Sequence, residues 1–288
     1  MICKLCPREC GVNRREKAGF CGVTEDAVVA RAELHFWEEP YLAGCGASGA
    51  VFFSGCNLRC VFCQNAPISH KVRGESVSPS RLADLFRMLE DEGAENIDLI
   101  TPTPFVPTIK AALDLYRPSL PVIYNCGGYE KAETIRSLEG YIDVYLPDYK
   151  YFDDAIALRY SAAPHYRAFA EEAILEMRRQ VSDVVKDGVL QKGVAVRHLV
   201  LPGQAKDSIA VLDRVYALLG KEAYLSVMSQ YTPCGDLGAF PELKRKVTPL
   251  EYKAVLAHAL RLGFENAYMQ EESAASKDYI PAFLREED

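Results

Sequence analysis

The residues with the most chemistry to offer lie in one short loop. "SGCNLRCVFCQN", residues 54–65, places Cys56, Cys60 and Cys63 in a C-x3-C-x2-C pattern. A closed tetrahedral metal site takes four ligands, and so does an ordinary iron–sulfur cluster. Three thiols therefore imply either a distant fourth ligand or a metal position left open. A four-iron cube held by three thiolates keeps one iron free. That iron can take a small molecule through a carboxylate oxygen and an amine nitrogen, and the reduced cube can pass an electron to it. Zinc with a fourth ligand such as His70, or three plain buried thiols, are the competing readings of the same spacing.

A second set is complete. Cys3, Cys6, Cys10 and Cys21 give C-x2-C-x3-C-x10-C, the full ligand count of a closed site. It is read either as a zinc knot that folds a short, loop-rich segment or as a second iron–sulfur cluster. Cys45, Cys126 and Cys234 stand alone, with Cys126 and Cys234 on the expected active face. Ten cysteines is a high count for 288 residues. The opening "MICKLCPREC" lacks the apolar stretch of a secretory signal, so a cytoplasmic location is expected, where clustered thiols serve metals or redox chemistry before disulfides. No apolar run approaches the roughly 20 residues of a membrane helix. A net charge of −7 argues against general nucleic-acid binding. The basic residues near the start (Lys4, Arg8, Arg14, Arg15, Lys17) read as a solvated face.

The elements that must position these residues follow a rhythm from residue 51 onward. Six short apolar strands are expected at 51–53, 97–101, 121–125, 142–147, 194–201 and 223–230, alternating with helices. The segment "NAYMQ" is a further strand candidate. Ser78 before Pro79, and Thr248 before Pro249, are helix caps. Pro164 divides residues 153–182 into two helical pieces. The expected fold is α/β, a partial (β/α)6 TIM-like barrel over residues 51–288, preceded by a Cys-rich, metal-binding extension over 1–50. Chemistry in such a fold sits at the C-terminal ends of the strands. The cysteine loop meets that rule. So do "TPTP", "NCGGYE", "PDYK", "RHLVLPG" and "SQYTPCG" after later strands.

Taken together, "CKLCPRECGVNRREKAGFCG", "FFSGCNLRCVFCQN", "VYLPDYKY" and "RHLVLPG" resemble the radical S-adenosylmethionine (radical SAM) superfamily. Within it they resemble a subfamily related to the activating enzymes of pyruvate formate-lyase. The resemblance implies a [4Fe–4S] cluster on Cys56, Cys60 and Cys63, with S-adenosylmethionine on the open iron. It implies reductive cleavage to a 5′-deoxyadenosyl radical that abstracts hydrogen from a substrate. That substrate is a glycyl radical enzyme, or alternatively a peptide, metabolite or RNA. An electron donor such as flavodoxin or ferredoxin is implied too. Phe62 would flank the adenine, Asp148 and Lys150 would face the cofactor or substrate, and Arg197 would reach the cofactor's carboxylate. The family's acid after the second strand is absent here, where the sequence reads "TPTPF". Thr101, Thr103 or Asn125 would then hold the amino group. His198, alternating with Arg197, reads as a packing residue. A pure electron carrier and a zinc-stabilised hydrolase or aldolase are the alternatives outside the class.

Overall fold

The structure is a computed structural model that describes residues 2–269. Its elements run β1 (Ala27–His35), α1 (Pro40–Ala43), β2 (Ser48–Phe53), α2 (Ala66–Ser69), β3 (Glu75–Val77), α3 (Pro79–Asp91), β4 (Ile97–Ile100) and α4 (Val106–Leu115). They continue with β5 (Val122–Cys126), α5 (Ala132–Arg136), β6 (Val144–Pro147), α6 (Asp154–Ser161), α7 (Tyr166–Gln180), β7 (Val184–Lys186) and β8 (Val189–Leu199). The last are α8 (Ala205–Leu219), β9 (Tyr224–Met228), α9 (Pro249–Leu262) and β10 (Asn266–Met269).

The parallel strands lie in the order β10-β9-β8-β6-β5-β4-β2, each bonded to its neighbour. All six expected strands are present, and β10 adds a seventh at the β9 edge. Gln270, the last residue of "NAYMQ", lies outside the described residues, as does the remainder of the expected barrel span to residue 288. The sheet does not close on itself among the described residues, so the architecture is a partial barrel. Its strands read as apolar runs because helices cover one face and the barrel interior lies on the other. Every residue of β2, β5 and β6 is buried.

The helices begin where the sequence places their caps. Ser78 Oγ accepts from Arg81 N–H, Pro79 opens α3, and Leu82, Leu85, Phe86 and Leu89 are buried along it. Thr248 and Glu251 form a reciprocal capping box on α9. Residues 153–182 do split, into α6 and α7.

The first 50 residues join the same sheet. β1 runs antiparallel to β2, and β3 pairs with the far side of β1. Val23, Ala27 and Val29 belong to the main core beneath α3. Two of the five early basic residues depart from the expected solvated face. Arg14 is 6% exposed, and its guanidinium donates to the carbonyls of Pro104 and Thr24. Arg8 donates to the Asn57, Ala162 and Ser161 carbonyls. Carbonyl oxygens left over at loops and at a helix end drew these side chains inward.

Candidate active site

The cysteine loop leaves β2 through Gly55, whose φ of +90° is a backbone state that other residues rarely take. A Cβ there would also meet the Cys21 carbonyl at 2.8 Å, so glycine lets the N-terminal segment pack against the loop. Two loop thiols have hydroxyl partners. Ser161 Oγ donates to Cys60 Sγ at 2.9 Å, and Cys63 Sγ stands 3.2 Å from Ser69 Oγ. Leu58 N–H points at Cys56 Sγ at 3.4 Å. Burial pushes the Cys56 thiol up to about 12 and Cys60 up to about 11, with nearby Lys150 pulling the other way on both. Buried thiols of this kind become thiolates when a metal supplies the compensating charge.

Cys60 and Cys63 face a cavity of about 620 Å³ at the C-terminal end of the sheet. Phe62, Asn125, Asp148, Lys150 and Arg197 line it as well. These charged and polar groups form one chain of bonds. Lys150 Nζ donates to Asp148 Oδ2 at 2.5 Å, and Arg197 Nε donates to Asp148 Oδ1 at 3.0 Å. Arg197 Nη2 donates to Asn125 Oδ1 at 2.5 Å, and Asn125 Nδ2 donates to Asp98 Oδ2 at 3.1 Å. The topology produces this. Asn125 ends β5, Asp148 follows β6, and Arg197 sits on β8, bridged to Asp148 across the ladder. Burial disfavours the Asp148 carboxylate, but Lys150 and Arg197 outweigh it and hold its pKa below the usual value. Tyr231 and Gln230, at the end of β9, also reach the wall, and Phe62 meets the Tyr231 ring edge-on at 5.8 Å.

Thr101 and Thr103 are not on that wall, although Ile100 is. Thr103 Oγ1 turns away to donate to Glu130 Oε1 at 2.5 Å. Glu130 is the acid of "GGYE". It is fully buried under the loops, and burial raises it to about 8, while bonds from Thr103 and Tyr124 pull the other way. The glycine before it in that run, Gly128 at φ +77°, passes so close to the Asp148 carbonyl and Tyr166 hydroxyl that no side chain fits. His198 is buried, with Nδ1 at 2.7 Å from the Tyr149 carbonyl, as a packing residue would be.

Sequence reasoning missed the opposite wall. His35, which ends β1, and Phe36, Trp37, Glu38 and Glu39, between β1 and α1, line the same cavity. Glu38 Oε1 stands 3.8 Å from Arg197 Nη1, and Glu39 Oε1 accepts from Ser226 Oγ at 2.6 Å. No motif marks "HFWEEP"; only an acid pair beside two aromatics could have drawn notice.

Cys3, Cys6, Cys10 and Cys21 surround a separate small cavity of about 20 Å³, shared with Asn57 and Thr103. Cys10 Sγ and Cys21 Sγ both lie within 3.5 Å of the point where a Cβ on Gly19 would stand. Among the described residues, no three His, Cys, Asp or Glu groups stand at the spacing of ligands to a single ion. Each thiolate of a four-iron cube binds a different iron, so the ligands of such a cube stand further apart than those of one ion. No helix among the described residues is long and apolar enough to cross a membrane.

Several known proteins are similar. A protein of Methanocaldococcus jannaschii bearing only the name of an uncharacterised protein is 27% identical over 278 residues, 92% of this chain and 76% of that one. The Streptococcus suis protein SuiB, bound to its precursor peptide SuiA, superposes with a TM-score of 0.52 at 12% identity. The match covers 75% of this chain and 46% of SuiB. Methylornithine synthase (PylB) superposes with a TM-score of 0.52 at 16% identity, covering 76% of this chain and 63% of PylB. The chain thus spans less than two thirds of either solved protein, and at these identities the likeness is one of fold. A radical SAM superfamily profile matches residues 50–214, more than half of the sequence, and the chain belongs to that superfamily, whose enzymes work with a [4Fe–4S] cluster and S-adenosylmethionine.

Proposed function

We propose that this enzyme abstracts hydrogen from a segment of a partner protein, activating a glycyl radical enzyme. The observation that carries this reading is the cavity itself. Thiols, a partly buried Asp148–Lys150–Arg197 array and an aromatic rim open onto one space of about 620 Å³, within the range of sites that hold a sizeable ligand. When bound, the cluster on Cys56, Cys60 and Cys63 and S-adenosylmethionine supply the 5′-deoxyadenosyl radical. The chain's residues do the rest. Arg197, whose Nη1 has only a long 3.8 Å pair with Glu38, offers that nitrogen to the cofactor's carboxylate. Asp148 holds Arg197 and Lys150 in place, and Phe62, packed on Tyr231, offers an apolar face to the adenine. Phe36 and Trp37, 66% and 64% exposed, offer an incoming protein segment large apolar contacts at the rim. An electron donor such as flavodoxin or ferredoxin would reduce the cluster.

The test is anaerobic reconstitution, reduction and addition of S-adenosylmethionine, with 5′-deoxyadenosine measured by chromatography. The expected result is product well above a Cys56/Cys60/Cys63→Ala triple variant, and equality with that variant overturns the radical chemistry. A protein radical detected by electron paramagnetic resonance in a mixed-in glycyl radical enzyme supports the substrate reading. Its absence with 5′-deoxyadenosine still forming moves the reading to a peptide, metabolite or RNA.

For the N-terminal cysteines, a structural metal is proposed, supported by the four thiols that share one small cavity. Zinc suits a complete thiol set that draws in around one ion. Loss of zinc with iron intact in a Cys3/Cys6→Ser variant supports this, whereas loss of iron supports a second cluster.

A further inference from the structure

Each sulfur of the cysteine loop has a hydrogen-bonding group beside it: Leu58 N–H at Cys56, Ser161 Oγ at Cys60 and Ser69 Oγ at Cys63. Iron-bound thiolates accept and do not donate, so such a set suits them. The partner of Cys60 is the most firmly built. Ser161 is fully buried and ends α6. The residues on either side of Cys60 tie the loop to that helix end. Arg59 N–H donates to the Ser161 carbonyl at 3.1 Å, and Val61 N–H donates to the Tyr160 carbonyl at 2.9 Å. A helix C-terminus leaves such carbonyls without partners of its own. Backbone bonds on both sides thus hold Cys60 Sγ at 2.9 Å from Ser161 Oγ. Ala162, which closes the helix, sits at φ +50°, a left-handed state that a non-glycine residue rarely takes.

A third group stands behind these two. The hydroxyl of buried Tyr151 lies 2.6 Å from Ser161 Oγ. A serine hydroxyl has one proton, and with that proton on Cys60 its oxygen can only accept from Tyr151. The result is a chain from the Tyr151 hydroxyl through the Ser161 hydroxyl to the Cys60 sulfur, in which each bond polarises the next. Neither Tyr151 nor Ser161 lines the large cavity, so contact with a substrate does not account for them.

We propose that Ser161, polarised and positioned by Tyr151, raises the reduction potential of the cluster through Cys60. The chain draws negative charge off the sulfur and so favours the reduced state. One electron passes from a flavin or iron–sulfur donor, which is oxidised, to the cluster, which is reduced, and no proton moves along the chain. The proposal rests on the cluster reading above.

The test is a dye-mediated redox titration of reconstituted full-length protein, with the reduced cluster followed by electron paramagnetic resonance. At an applied potential equal to the wild-type midpoint, Ser161→Ala should lower the reduced-to-oxidised ratio about tenfold, which is 59 mV for a one-electron couple. Tyr151→Phe leaves Ser161 in place and should lower the ratio about threefold, and the double variant should match Ser161→Ala. A fall smaller than about threefold in Ser161→Ala overturns the proposal, and full additivity in the double variant overturns the part given to Tyr151. Where Ser161→Ala does not fold or take up iron, Tyr151→Phe decides alone, and a ratio equal to wild type overturns the proposal. A wild-type protein that takes up no cluster overturns the cofactor reading itself, a different result from a loaded cluster whose potential the variants leave unmoved.

Discussion

Asp148 stands between two partly buried cations, and removing it differs from removing either of them. Asp148→Asn leaves Lys150 and Arg197 facing each other without their shared anion, a partly buried uncompensated charge that costs at most about 3 kcal/mol. Lys150→Met leaves Asp148 paired with Arg197 and should cost distinctly less. Urea unfolding of the two variants checks the order, and a Lys150→Met loss equal to that of Asp148→Asn contradicts it. His198 supplies the pH dependence. Burial lowers its pKa to about 4, while an unfolded histidine titrates near 6.5. Between those values the unfolded chain binds the extra proton, so stability falls as pH drops through that window and is fully present above it. The loss approaches roughly 3 kcal/mol by pH 4. It should flatten in His198→Gln, whose amide can still donate to the Tyr149 carbonyl, when urea midpoints are followed from pH 7 to pH 4. At this scale spacing alone pointed to Cys60 and Cys63, and the family resemblance pointed to Asp148 and Arg197; all four line the cavity. The sequence was not legible for Glu38, which reaches the cavity only through a turn after β1. For Thr103 it misled, because a hydroxyl at a strand end looks the same whether it faces the cavity or a buried acid.

The elements were legible for a different reason. Caps, prolines and apolar periodicity are local signals, so the existence and order of β2, β4, β5, β6, β8 and β9 and of the helices between them follow from the sequence, although β2 begins three residues and β8 five residues earlier than expected. β1 and the β7–β8 hairpin, turning through Asp187 and Gly188 at positive φ, depend on pairing partners and were not foreseen. Nor was the joint between the N-terminal segment and the cysteine loop. Arg8 makes that joint: it stacks on Phe20 at 3.9 Å, donates to the Asn57 carbonyl at 2.8 Å, and reaches the carbonyls at the end of α6, where Ser161 holds Cys60. Arg8→Ala should cost about 2–3 kcal/mol in unfolding and lower the iron bound per chain after reconstitution. Iron content and stability both equal to wild type would show that the joint is idle.

Across the whole molecule, the expected division at residue 50 runs through β2, which occupies Ser48–Phe53 and pairs with β1 on one side and β4 on the other. A chain beginning at residue 51 would lose half of β2, all of β1 and the core contacts of Val23, Ala27 and Val29. It would also expose the cut edge of the remaining sheet. It should show no cooperative unfolding transition by circular dichroism; a sharp transition would mean the barrel stands alone. The family profile begins at residue 50 and omits this first layer, although the layer supplies the rim and one wall of the cavity.

The three residues Phe36, Trp37 and Glu38 join that wall to the outside. The two aromatic rings face solvent while the acid turns inward against Arg197. A partner pressing on the rings and a ligand in the cavity beside Glu38 would meet the same short span of backbone, and a shift of that span would couple the two occupancies. Whatever affinity one lends the other is returned in equal measure. A reactive radical would then be made mainly when something is present to receive it.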